Sequence, residues 1–281
     1  MVLFALGDAA PIDACIARAG LPFIRVRRRL DPALLALNRA GALNGHVPVT
    51  GILSAITLAA AMLHGCDTVV MSNEHSASAP NLVVDGAPVN HQYSKSLEFE
   101  ADLAGYLATR VSADIGYFSL LRPLSEIEIA RRFARQRQYF DVFRSCNAAY
   151  RQAAAERAQH WCGDCPKCRF VFLALAPFVA KAELTAIFGA DLLDDDRQAQ
   201  GFAELCGLAE HKPFECVGEI EESAAAMAHL AGQAEWRDDA VVRRLGMALG
   251  APDPTPLAAL LDIRHPHRVP PRYRAILDAG G

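Results

Sequence analysis

The sequence predicts an α/β protein: a parallel-sheet domain over residues 1–195 followed by a helical C-terminal extension over residues 196–281. Three observations predict it. Short apolar runs alternate with helical patterns through the first half of the chain. A cysteine-rich loop, His160–Phe170, interrupts that alternation. Beyond the loop every periodic stretch reads as helix. Strand–helix alternation implies right-handed crossovers and a parallel sheet covered on both faces.

Val2–Leu6 (VLFAL) reads as a buried strand, followed by a helix over Pro11–Ala19 that Gly20 is placed to end. Phe23–Arg27 is a second strand. Asp31 followed by Pro32 is an N-cap and first-turn proline for a helix to Ala40. Thr50 is expected to cap an apolar helix over Ile52–Leu63, and Gly65 to stop it. Thr68–Ser72 is a third strand, Ser96–Thr109 a helix and Ile115–Ser119 a fourth strand. Ser125 with Glu128 predicts a capping box for a helix to Ala134. Helices are then expected over Phe170–Ala180, Glu183–Phe188, Gln198–Leu208, Ile220–Ala231, Asp238–Leu249 and Pro256–Leu261. Asp194–Asp196 reads as a solvated linker and His265–Pro271 as a proline-rich tail.

A chain of 281 residues with 52% hydrophobic and 21% charged residues can bury a sizeable core. A net charge of −4 and a pI near 6.1 supply no polyanion-binding field, so nucleic acid is not an expected partner. The apolar run Gly51–Leu63 is too short to span a bilayer. Eight cysteines without a signal-peptide pattern point to a reducing compartment, so a cytoplasmic protein without a membrane partner is expected. No feature of the sequence addresses oligomeric state.

Cys162, Cys165 and Cys168 recur at spacing two on a loop with Gly163 and Pro166, which can turn several sulfurs towards one point. A tetrahedral Zn²⁺ site needs a fourth ligand. Cys146 in FRSCN is the first candidate and His160 the second. Four protein ligands leave no open position, so the expected role is structural. Reduced thiols or an iron–sulfur cluster are the weaker readings. Cys206 and Cys216 read as core or surface thiols.

In open parallel sheets, ligands bind beyond the carboxyl ends of the strands. The loop leaving the third strand, Ser72–Ser76, carries Asn73, Glu74 and His75; the stretch Asn90–Lys95 adds His91, Tyr93 and Lys95. So many chemically active groups in one loop region make it the candidate active site. The loop Asn44–Thr50, with Gly45, His46 and Val47, precedes a helix N-terminus, where free N–H groups favour an anion such as phosphate.

Four pieces in this order resemble the PP-loop ATP pyrophosphatase group, most closely its 7-cyano-7-deazaguanine synthase branch. They are the VPV loop before an apolar helix, a strand running into NEHS, the FRSCN strand end and WCGDCPKC. NGHVPVTGILSAI, SNEHSAS, VNHQYSKSLEFE and HWCGDCPKCRFVFLALAPF together are similar to the bacterial epimerases of UDP-N-acetylmuramoyl-L-alanyl-L-glutamate, across residues 1–195. The resemblance implies a Rossmann-like, HUP/PP-loop-like sheet and ATP- and Mg²⁺-dependent inversion of the terminal L-Glu of UDP-muramoyl-dipeptide during peptidoglycan precursor synthesis. Adenylating the carboxylate would acidify the α-carbon, and bases must then reach it. His75, His91 and Lys95 are candidates for this, Glu74 for orienting a His or holding Mg²⁺, and Tyr93 for donating a proton. Gly45, His46, Val47, Thr50 and Asn73 are the nucleotide-side candidates.

One family feature is absent. The Gly/Ser-rich phosphate loop that follows the family's first strand is not found in the sequence. The expectation is an N-terminally shortened chain, missing the central strand that the equivalents of Val2–Leu6 and Thr68–Ser72 would flank. Two alternatives stay open: another PP-loop ligase or amidotransferase, and a zinc-stabilised domain without activity.

Overall fold

The computed structural model describes residues 1–43, 47–80, 82–151, 154–250, 254–262 and 265–279. It is α/β, with small sheets and a large helical body. Strand β1 (Leu3–Leu6) leads through helix α1 (Ala10–Ala19) to β2 (Phe23–Val26), which pairs with it in parallel. Helix α1 ends at Gly20, whose φ of 63° is the left-handed turn that glycine adopts without strain. Helix α2 (Pro32–Arg39) is capped by Asp31, whose carboxylate accepts from Ala33 N at 2.8 Å. Helix α3 (Val49–Leu63) begins before Thr50, so Thr50 lies in its first turn and does not cap it. Its carbonyl instead accepts from Ser54 Oγ.

Strand β3 (Thr68–Met71) pairs in parallel with β6 (Gly116–Ser119). Between them come an antiparallel hairpin, β4 (Leu82–Val84) with β5 (Ala87–Val89), and helix α4 (Leu97–Arg110), capped by Ser96. The expected single sheet is therefore two separate parallel pairs. Among the described residues, β1 and β3 each keep one edge without a strand partner. Cover on both faces is also incomplete, because neither α1 nor α2 has a buried residue.

Helix α5 (Glu126–Phe133) starts at Ser125, whose hydroxyl accepts from Glu128 N and donates to Leu260 O. The reciprocal half of the expected capping box is not made, because Glu128 binds Arg131 and Arg132 one turn on. Helices α6 (Pro166–Leu175), α7 (Lys181–Phe188), α8 (Ala199–Leu205), α9 (Ile220–Ala231), α10 (Ala240–Leu249) and α11 (Pro254–Asp262) follow. The principal core runs from Ile127 to Leu257, with Phe172, Leu173, Phe202, Leu230 and Val242 sealed from solvent. Each such side chain contributes about 1.5–3 kcal/mol by leaving water.

Asp194–Asp196 is ordered by partners. Asp194 accepts from Ala240 N, Asp195 caps a short 3-10 turn, and Asp196 meets Arg244. The proline-rich tail runs into a helix that local pattern did not reveal, α12 (Pro271–Ala279). Its Leu277 joins Val269, Phe118 and Leu124 in a small core behind β6. Among the described residues no helix is long and apolar enough to cross a membrane.

Candidate active site and metal centre

The loop leaving the carboxyl end of β3 and the turn that precedes α4 meet on one buried side chain, which stands in the loop leaving β6. Residues His75–Ser78 and Tyr93–Lys95 each form a short 3-10 turn. Arg122, fully buried, donates to the carbonyl of Glu74 at 2.5 Å and to the carbonyl of Lys95. It also pairs with the buried carboxylate of Glu100 at 3.3 Å. One guanidinium thus ties the two loops that carry the sequence-predicted groups. Ser119 Oγ adds a bond to the carbonyl of Asn73 at 2.6 Å. Gly51 of α3 lies against this turn, where an added Cβ would meet Ser94 and Phe99 at 3.5 Å.

His75 lies face to face with His265, ring centroids 3.4 Å apart, and burial together with the nearby Arg122 holds it below the usual imidazole range. The ring is therefore neutral at pH 7 and able to accept a proton. Lys95 Nζ reaches Gln92 Oε1 and Cys216 Sγ, each at 3.3 Å. His91 packs on Phe214 with centroids 4.3 Å apart. Glu74 faces Glu126, a densely surrounded carboxylate whose protonation is driven well upward by burial, then by Glu74 and Glu222. Ser76 Oγ donates to Glu126 at 3.3 Å.

Tyr93 is separated from these groups. It is 43% exposed and its hydroxyl meets Asp102 on the outer surface. Val47 is exposed and Thr50 belongs to the α3 helix, while Gly45 and His46 lie outside the described residues.

Sequence reasoning did not find Arg122, Glu126, Cys216, Glu222 or His265. Glu222 on α9 accepts from Glu126 N at 2.6 Å and from Glu219 N at 2.8 Å, so one carboxylate supports the starts of α5 and α9. Burial pushes its pKa up to about 7 despite those backbone bonds. A carboxyl raised on folding contributes stability that is fully present below its unfolded value and is lost as pH rises through the folded one. Glu222 and Glu126 both act in this sense. The melting temperature should therefore fall between pH 5 and pH 8, and Glu222→Gln should flatten that fall. An equally steep fall in the variant would remove Glu222 as its source.

The candidate metal centre lies where the cysteine loop enters α6. The sulfurs of Cys146, Cys162, Cys165 and Cys168 all lie within 4.8 Å of one another. Cys165–Cys168 and Cys162–Cys168 are 3.4 and 3.7 Å apart. Bonds of about 2.3 Å from one tetrahedral ion would set sulfurs roughly 3.8 Å apart, so the group fits a metal ion. Cys146 is the fourth member, while His160 is exposed and outside the group. Hydrogen bonding from Cys168 holds Cys165 down at about 4, and the same contact raises Cys168. Gly163, at φ 72°, supplies the turn, and Trp161 packs on Phe188 at 4.4 Å to anchor the loop. Asn147, next to Cys146, donates to Glu215 Oε1 at 2.9 Å, linking this centre to the segment that carries Cys216.

Residues 1–120 match the family model described as the MurL N-terminal domain, and residues 142–256 match the MurL C-terminal domain. Three relatives carry the name UDP-N-acetyl-alpha-D-muramoyl-L-alanyl-L-glutamate epimerase. The protein of Salinispora tropica is 53% identical over 86% of this chain and 52% of its own length. That of Xanthomonas oryzae pv. oryzae is 48% identical over 95% and 60%. That of a Micromonospora species is 49% identical over 98% and 62%. The chain thus spans between half and two thirds of the length of these curated relatives. No solved structure matches it. With both domain models matched in order and close to half of its residues shared with proteins of one name, the chain belongs to the MurL family.

Proposed function

We propose that this chain carries the ATP- and Mg²⁺-dependent epimerisation of the terminal L-Glu of UDP-N-acetylmuramoyl-L-alanyl-L-glutamate to D-Glu, in cytoplasmic peptidoglycan precursor synthesis. The observation that carries the reading is the junction of the Asn73–Ser76 and Asn90–Lys95 loops on Arg122, in a chain whose relatives bear that enzyme's name. The α-proton of a free carboxylate is barely acidic, because its removal makes a dianion. Adenylation of that carboxylate supplies the missing acidity. The chain's own part is to hold the glutamyl residue and move one proton. His75, neutral in its buried stack, suits a base. Lys95 and Glu74 stand on the two tied loops, and His91 faces the segment that covers them. In the four-sulfur group we read a structural Zn²⁺.

The separated strand pairs support a PP-loop-like sheet in the order β2, β1, an added strand, β3, β6, all parallel. The edges of β1 and β3 that have no strand partner among the described residues suit such an added strand. A structure of the full-length protein with β1 hydrogen-bonded directly to β3 would end that reading.

The test of function is chiral analysis. Full-length protein carrying this chain is incubated with the L-Glu precursor, ATP and Mg²⁺. D-Glu in the hydrolysed product together with AMP is the expected result. Turnover of ATP with the glutamate left wholly L would favour a ligase and overturn the proposal.

A further inference from the structure

The segment 211–218, between α8 and α9, lays a thiol beside the lysine of the site. Cys216 Sγ lies 3.3 Å from Lys95 Nζ. The residue before it is fixed through Glu215 to Asn147, beside the metal centre. Two residues after it, Gly218 packs so tightly that an added Cβ would come within 2.5 Å of the Phe170 ring and 2.7 Å of the Glu222 carboxylate. Phe214 of the same segment covers His91. The thiol is thus held from both sides and stays half-buried, unlike Cys206, which is sealed in the core. It belongs to neither a disulfide nor the four-sulfur group. A thiol can give up its proton and take one back as thiolate, and this sulfur lies against Lys95 Nζ at the end of one of the two tied loops. Inversion at one carbon, in turn, calls for two groups that pass a proton across it.

We propose that Cys216 is one of the two groups that exchange the α-proton of the activated glutamyl residue, with Lys95 as the positioning residue beside it; this rests on the epimerase reading above. In the forward step neutral His75 takes the proton: the Cα–H bond breaks, an N–H bond forms, and the electron pair moves onto the carbonyl oxygen of the activated carboxyl. The Cys216 thiol then gives its proton to the opposite face; its S–H bond breaks, the enolate electrons form the new Cα–H bond, and the sulfur is left as a thiolate beside Lys95 Nζ. Water hydrolyses the mixed anhydride to the free carboxylate and AMP. Run in reverse, the same cycle makes Cys216 the acceptor.

The experiment follows deuterium. Full-length wild type, Cys216→Ser and Cys216→Ala are incubated in D₂O with ATP and Mg²⁺, separately with the L-Glu and the D-Glu precursor. Recovered glutamate is analysed for α-deuterium and chirality. Wild type should exchange from both epimers. The variants should lose epimerisation by at least about 100-fold, the lower range for a positioned acid or base, and lose exchange from one epimer while keeping it from the other. Unchanged metal content and melting temperature would show that the variants fold. Equal loss from both epimers, or no loss, overturns the role. A parallel arm maps iodoacetamide labelling of Cys216 in wild type with and without the UDP-muramoyl-dipeptide, and protection is expected. Exchange by wild type without protection would overturn the placement of Cys216. Protection without any exchange by wild type would overturn the epimerase reading, and with it the proton transfer, while keeping Cys216 in the substrate site.

Discussion

Cys168→Ser in the purified protein should abolish bound metal and unfold much of the helical body. Wild type is expected to carry about one zinc per chain, the content of a closed four-thiolate site. Cys146 and Cys168 are fully buried, and α6 begins inside the cysteine loop, with Phe172 and Leu173 of that helix at the centre of the principal core. Binding to a structural zinc is itself folding free energy, about 10 kcal/mol in small domains. Domains are stable by only about 5–15 kcal/mol in total. Metal analysis and thermal unfolding read both effects. Full metal retention by Cys168→Ser, with an unchanged melting temperature, would remove the centre from the account. His160→Ala serves as the control and should leave zinc in place.

The second large effect is expected at Arg122. Replacing it with methionine keeps the volume but leaves the Glu100 carboxylate buried without its cation, and frees the carbonyls of Glu74 and Lys95. Breaking a buried ion pair from one side costs about 3–5 kcal/mol. Denaturant unfolding should show a loss of this order, and the epimerase activity proposed for the full-length protein should fall with it as the two loops lose their common anchor. Burial already raises the Glu100 carboxyl against the pull of Arg122, so a neutral partner should be tolerated there. The double variant Arg122→Met/Glu100→Gln should regain part of the lost stability. Strict additivity of the two substitutions would mean that the pair is not coupled.

Local chemistry was legible in the sequence wherever its partners were also local. Asp31, Ser96 and Gly20 act at the helix ends where their residue types place them. Cys146 sits close enough in the chain to the three-cysteine loop to be found by spacing, and density of polar groups marks the NEHS and HQYSK stretches as candidates. What stayed hidden depends on distant partners. Arg122 looks like an ordinary basic residue until the carbonyls of Glu74 and Lys95 meet on it. Cys216 is separated from Lys95 by 121 residues, and no periodicity marks either as the other's partner. Thr50 shows the reverse error: a good capping residue was passed over because the helix starts one residue earlier. Helix α12 lacked a clear apolar face because it contributes one buried leucine. The break between the two parallel pairs is likewise not contained in local pattern, since each strand reads alike whichever neighbour it pairs with.

The uneven distribution of core carries a consequence for synthesis on the ribosome. The first forty-three residues bury little beyond Ala5 and Ala9, whereas the principal core draws on side chains from Ile127 onward. Within this chain β1 and β2 therefore gain little hydrophobic stabilisation of their own, whereas the helical half has its own centre to condense around. Since the polar loops come from one portion and Cys216 from the other, the site proposed above can be assembled only after the ribosome has delivered the segment leading into α9.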